Sequence, residues 1–203
     1  MIILTSNGIS NDLVKKELHT YIHKNSVALV VTADDIYKEN NYHVPRHKED
    51  LLSLGLDVEV FDFDNRKPEE INKFDVVFLI GGNPYYLLDL IIKNNFKDVL
   101  NDFALNKIII GCSAGSIVLT PSLKLIDIYS PDMNIVGLND LSALNFTSIQ
   151  ILPHYSKFIS KYDNFKDKCR KYEIENKCEV NRLNDGEALF IHNNEISKII
   201  KVK

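Results

Sequence analysis

Lys107-Ile108-Ile109-Ile110-Gly111-Cys112-Ser113-Ala114-Gly115-Ser116-Ile117-Val118-Leu119 is the stretch that decides the fold. The isoleucine run is stiff at χ1 and apolar in both directions, which suits a strand buried on both faces of a parallel sheet. Ser116 to Leu119 can form one helical turn before Thr120-Pro121 stops it, because the residue ahead of a proline is pushed out of the helical region. Between the two, Gly111-Cys112-Ser113-Ala114-Gly115 has the G-x-S-x-G spacing of a sharp strand-to-helix turn that lifts a serine hydroxyl above a sheet edge. A side chain at 111 or 115 would collide with the neighbouring strand or helix as the chain reverses. The turn leaves Ser113 Oγ at a helix N-terminus and offers the Ala114 N–H to a developing oxyanion. The plain alternative is a turn that uses small residues for steric reasons alone.

Working outward, strand-like and helical runs alternate upstream. Ile2–Thr5 is a strand, Asn11–His23 a helix with Leu13, Val14, Leu18, Tyr21 and Ile22 at helical spacing, and Ser26–Thr32 a second strand. Val44–Leu54 is a helix, Asp57–Phe61 and Phe74–Ile80 are strands, and Tyr85–Lys93 and Phe96–Leu105 are helices. Such alternation means crossover connections and a parallel sheet covered on both faces. Downstream, Leu123–Ile128 and Ile149–Leu152 read as strands, Tyr129–Asn145 as an irregular excursion, and Ser156–Glu175 as a charged surface helix. Glu179–Leu183, Glu187–His192 and Ile196–Val202 are strands joined by turns too short for helices, so they predict an antiparallel edge. The expectation is one domain over residues 1–203.

Composition sets bounds. At 203 residues a single core can bury about 70% of the unfolded surface. Apolar residues at 45% and charged residues at 26% describe an ordinary globule, and a net charge of −4 gives no reason to expect nucleic acid or an anionic membrane as partner. No apolar run approaches the ~20 residues of a membrane span. The opening Met1-Ile2-Ile3-Leu4 reads as a strand and not as a targeting segment. Three cysteines without disulfide or zinc spacing suit a reducing cytoplasm. No cofactor motif is present, and a monomer or homodimer is expected.

A serine hydroxyl needs a base. His19 with His23, and His43 with His47, stand at i, i+4 spacing and read as solvated helix faces, with no third metal ligand in a recognisable spacing. His192 ends a late strand and reads as edge packing. His154 follows a strand and a proline, on a loop at a strand end, the usual address of functional groups in open α/β sheets. Two carboxylates could orient it: Asp185 in the turn Asn184-Asp185-Gly186, and Asp132 in the irregular segment. Gly81-Gly82-Asn83-Pro84 joins a buried strand to a helix that Asn83 can cap with Pro84 at its first position. A phosphate-binding turn is one reading of the glycines, although neither G-x-G-x-x-G nor a P-loop pattern is present. The other is that Gly82 supplies a second oxyanion donor beside Ala114. Cys112 beside the serine reads as buried and without chemistry.

Taken together and in order, Ile80-Gly81-Gly82-Asn83, Gly111-Cys112-Ser113-Ala114-Gly115, Pro153-His154-Tyr155 and Asp185-Gly186 resemble the peptidase E (aspartyl dipeptidase) and cyanophycinase family of serine peptidases. Asp132-Met133-Asn134-Ile135-Val136 also resembles a peptidase E segment. The resemblance implies a three-layer α/β/α sandwich, mainly parallel, similar to class I glutamine amidotransferases with serine in place of their cysteine. It implies Ser113 as nucleophile, His154 as general base, Gly82 and Ala114 as oxyanion donors, and Asp185 or Asp132 as the third member, with Asp185 preferred although the family has Glu there. It implies a small peptide substrate with Asn83 beside it. A cation for an N-terminal aspartate should come from the helix after the histidine, where Lys157, Lys161, Lys166, Lys168, Arg170 and Lys171 stand and Arg170 is the first choice. The expected activity is a serine exopeptidase that cleaves Asp-led dipeptides; an esterase, or an idle small-ligand-binding protein on the same fold, are the alternatives.

Overall fold

The apolar runs flanking the serine turn become neighbours in one sheet. The computed structural model describes residues 1–22 and 25–202. Strands β1 (Ile2–Thr5), β2 (Ser26–Val30), β3 (Asp57–Phe61), β4 (Val76–Leu79) and β5 (Ile108–Cys112) lie parallel in the order β3-β2-β4-β5-β1. A short pair, β6 (Gln150–Leu152) and β7 (Val180–Arg182), stands apart from this sheet. The last strands, β8 (Ala188–His192) and β9 (Glu195–Ile200), extend the main sheet beyond β1 in antiparallel sense. In β1, Ile2 and Leu4 face one side and Ile3 the other, and the helices divide accordingly. Helices α1 (Asp12–His19) and α2 (Val44–Ser53) pack Val14, Leu18, Val44 and Leu51 against Ile3, Leu29, Phe78 and Ile110. On the opposite face α3 (Pro84–Lys93), α4 (Phe96–Asn106) and α5 (Ala114–Ile117) bring Tyr85, Leu88, Phe96 and Leu100 onto Leu4, Val30, Val77 and Ile109. The result is the mostly parallel three-layer sandwich expected from the alternation. Among the described residues no helix is long and apolar enough to cross a membrane.

Several late elements differ from the sequence reading. Leu123–Ile128 is not a strand: Lys124–Asp127 forms α6, begun by Ser122 Oγ accepting the Lys124 N–H at 3.1 Å. Short apolar runs do not distinguish strand from buried helix, and here Leu125 and Ile126 enter two different core clusters. The predicted helix 156–175 is two, α7 (Tyr155–Lys161) and α8 (Phe165–Asn176). Asn164 at φ +53° breaks it, so that Phe165 turns inward against Phe158 and Tyr162. The strand expected at 179–183 does not join the antiparallel edge. As β7 it leaves the main sheet and pairs in parallel with β6, held on α8 by a two-pronged Arg182–Glu173 ion pair at 2.8 and 2.9 Å. Helix α1 ends at His19, and His23 lies outside the described residues.

Candidate active site

Thr5, the last residue of β1, pins the serine turn from the neighbouring strand. Its carbonyl accepts the Ser113 N–H at 3.1 Å and the Ser116 hydroxyl at 2.9 Å, and its own hydroxyl donates to the Gly111 carbonyl at 2.8 Å. Ser113 is held at φ +50°, ψ −112°, a region that costs on the order of 1–3 kcal/mol for a residue with a Cβ. At Gly115 an added Cβ would lie 2.2 Å from the Leu79 carbonyl oxygen of β4. Glycine is therefore what lets α5 begin so close to the sheet.

His154 and Asp185 are brought to this point by the small sheet. Leu152 lies opposite Arg182, and the ladder continues beyond the strand ends through Leu183 N–H to the Leu152 carbonyl (2.9 Å) and Tyr155 N–H to the Leu183 carbonyl (3.1 Å). Parallel strands leave their pair on the same side, so a histidine just past β6 meets a carboxylate just past β7. His154 Nδ1 lies 2.6 Å from Asp185 Oδ1, and Nε2 lies 2.9 Å from Ser113 Oγ. The His154 N–H donates to Ser6 Oγ at 2.9 Å, and the Ser6 hydroxyl donates to Asp185 Oδ1 at 2.9 Å. Lys157 Nζ sits 2.5 Å from Asp185 Oδ2. Burial alone would raise the Asp185 carboxyl, but the Lys157 ammonium, the His154 ring and the Ser6 hydroxyl outweigh it and hold the carboxyl below its ordinary range. An ionised Asp185 fixes the hydrogen on Nδ1 and leaves Nε2 as an acceptor toward Ser113.

Gly82 and Ala114 line one cavity with Ser113, and neither N–H has an acceptor among the described residues. Gly82 adopts φ +152°, where an added Cβ would lie 2.3 Å from the Ala33 carbonyl oxygen. The next N–H, of Asn83, is taken by that same carbonyl at 2.7 Å.

A strained serine just past the carboxyl end of a central strand, with imidazole, carboxylate and two uncommitted N–H groups, is acyl-transfer geometry. Residues 2–199 match the profile of peptidase family S51. The chain belongs to this family. An uncharacterized peptidase of Listeria monocytogenes is 29% identical over 187 residues, 89% of this chain and 88% of that one. Peptidase E of Shewanella baltica is 26% identical over 152 residues, 72% of this chain and 62% of that protein. A crystal structure of a Listeria monocytogenes protein assigned to peptidase E matches at a TM-score of 0.78 and 25% identity, covering 100% of this chain and 98% of that chain. The chain is thus a peptidase on the peptidase E fold.

Within this S51 peptidase the remaining predicted residues are distributed unevenly. Asp132 stands on an exposed turn (Pro131–Met133), and both ring nitrogens of His154 are engaged by Ser113 and Asp185, so Asp132 is not brought to the histidine. Arg170 lies on the exposed face of α8 and lines neither cavity beside Ser113. Asn83 has both ends of its amide in use: Oδ1 accepts Tyr85 and Tyr86 N–H at 3.0 and 3.2 Å, and Nδ2 donates to the Met133 carbonyl at 2.7 Å. It holds the glycine loop, and it lines neither cavity beside Ser113. Cys112 is buried, which pushes its thiol up to about 12. His192 is exposed at the end of β8 that lies beside the start of β1, the edge opposite the serine.

Two cavities flank Ser113. One, of about 150 Å³, is mostly aromatic and apolar, with Ile117, Tyr129, Met133, Phe158 and Tyr162, and Ser130 and Lys161 also line it. The other, of about 300 Å³, carries His43, Arg46, His47 and Lys157. The reading of a solvated face holds for His43, which is exposed, and is corrected for His47: α2 turns it inward until it is 2% exposed. Ser6 and Asn7 also escaped the sequence reading. Their signal was available, since polar residues directly after an apolar strand sit at the carboxyl edge of a parallel sheet. Asn7 Oδ1 accepts the Gly186 N–H at 2.8 Å and so steadies the turn that carries Asp185.

Proposed function

We propose that this S51 peptidase is a serine exopeptidase of short peptides, with Asp-led dipeptides as its first substrates. His154 Nε2 takes the Ser113 proton, Ser113 Oγ attacks the scissile carbonyl, and the oxyanion rests on the Gly82 and Ala114 N–H groups. His154 then gives the proton to the leaving amine. Water, deprotonated by the same imidazole, attacks the acyl-enzyme and restores Ser113. Asp185 keeps the imidazole in the required tautomer and balances its charge while it holds two protons. The observation that carries this reading is the unbroken relay from Asp185 through His154 to Ser113, at 2.6 and 2.9 Å. The likeness to peptidase E is the reason for taking Asp-led dipeptides as the first substrates to test.

Ser113→Ala should keep the wild-type unfolding midpoint and lose turnover of Asp-Leu by roughly 10⁴-fold or more. Turnover retained in that variant would remove Ser113 from the mechanism. An ester panel run beside the dipeptides separates this reading from an esterase, because a peptidase must also hydrolyse the amide.

A further inference from the structure

Arg46 occupies the first turn of α2, a helix end whose partial positive charge favours anions and opposes a cation. Among the described residues Arg46 makes no ion pair, and its contacts are Nη2 to the Asn7 carbonyl at 2.8 Å and Nη2 to His47 Nε2 at 3.4 Å. Its Nε is buried without an acceptor, and Nη1 has no protein partner among the described residues. A guanidinium offers five N–H donors in a planar fork that matches a carboxylate, and here most of the fork is unused. The cavity that Arg46 lines also contains Ser113. The carboxylate that lines it, Asp185, is already held by His154, Ser6 and Lys157. Burial and the Arg46 charge, then Lys157 and His154, hold the His43 imidazole below its ordinary range.

We infer that Arg46 is the carboxylate receptor of this peptidase, clamping a carboxylate of the bound peptide in the cavity on the α2 side of Ser113. The inference rests on the reading of Ser113 as nucleophile. It moves the specificity-determining cation to α2 from the segment after the histidine, where Arg170 stands outside both cavities, Lys157 is held by Asp185 and Lys161 lines the other, mostly apolar cavity. A short acidic peptide offers two such carboxylates: the acyl residue's side chain and the C-terminus of the leaving residue.

Kinetics on matched peptides distinguish them. Wild type, Arg46→Gln and Arg46→Lys are assayed with Asp-Leu, Asn-Leu and Asp-Leu amide. In Arg46→Gln one preference, Asp-Leu over Asn-Leu or Asp-Leu over its amide, should fall roughly 10- to 100-fold, mainly through KM. The ratio that falls identifies the carboxylate. Arg46→Lys should recover part of it, since a point charge lacks the fork. Both ratios unchanged in an active Arg46→Gln protein would overturn the assignment. Should Arg46→Gln fail to fold, the Ser113→Ala protein with Arg46 intact supplies the measurement. Phenylglyoxal modification at Arg46, mapped by mass spectrometry, should slow at least several-fold under saturating Asp-Leu, and no protection overturns the proposal. Loss of the nucleophile reading would look different: Ser113→Ala would still turn over peptide, whatever the Arg46 variants did.

Discussion

At Ser113 backbone strain and hydrogen bonding act together: Thr5 holds the turn, and the price of φ +50° places the hydroxyl within 2.9 Å of an imidazole. The same residue scale separates Asp185 from Asp132. Asp185→Asn keeps the shape but can present an N–H to His154 Nδ1, which favours the tautomer with its hydrogen on Nε2. That imidazole has no lone pair on Nε2, the nitrogen facing Ser113, to take the serine proton. We expect kcat for Asp-Leu to fall roughly 10³- to 10⁴-fold in Asp185→Asn, with KM nearly unchanged. Asp132→Asn, on its exposed turn, should stay within about twofold of wild type, whose loss there would return Asp132 to the mechanism. Ser113, His154 and Asp185 were legible in the sequence because each is a chemically demanding residue type in a local context that exposes it, a G-x-S-x-G turn, a strand end and an Asx-Gly turn. The position of Arg170 outside both cavities was not legible, because which face of a helix meets a cavity is decided by packing around α8 and not by the residues of α8 itself.

Elements carry the next level. The Gly81-Gly82 loop is held at three points, by the Ala33 carbonyl on the Asn83 N–H, by the Asn83 side chain capping α3, and by Asn83 Nδ2 on the Met133 carbonyl. Capping is worth about 1 kcal/mol and a neutral hydrogen bond about as much. Asn83→Ala should therefore lose on the order of 1–2 kcal/mol in urea unfolding and also lose activity, since the Gly82 N–H is one residue away. Asn83→Asp distinguishes the two contributions: aspartate caps as well as asparagine but cannot donate to Met133. If the Met133 tether positions Gly82, Asn83→Asp should keep the cap, lose about 1 kcal/mol through the missing Met133 hydrogen bond, and still be impaired in kcat. Equal kcat in wild type and Asn83→Asp would show the tether to be dispensable. The capped helix was legible because Asn-Pro signals a helix start locally. The β6–β7 pair was not, because a three-residue strand joins whichever neighbour tertiary packing supplies, here α8 through Arg182 and Glu173.

On the scale of the whole molecule, alternating apolar runs fixed which strands are parallel, but nothing in them says how deeply a particular helix sinks into its face of the sheet. His47 shows the consequence. It is 2% exposed, its ring lies edge-on to Phe78 with centroids 5.2 Å apart, and Nδ1 is buried without a partner. Burial, and then the charges of Arg46 and His43, lower its pKa to about 4. An unfolded histidine titrates near 6.5, so between those values the unfolded chain binds a proton that the folded chain refuses. A depressed folded pKa means stability that is fully present above about pH 6.5 and lost as pH falls toward 4. Between pH 7.5 and 4.5 the loss from this one side chain amounts to about 2.5 kcal/mol. His47→Gln removes the titration while every other ionisable group is kept. Urea unfolding at the two pH values should show the wild type losing roughly 2–3 kcal/mol more than His47→Gln, even if the variant is less stable at pH 7.5. Parallel losses in the two proteins would mean that the His47 ring accepts its proton in the folded state, and that α2 is less firmly seated over the sheet than its packing indicates.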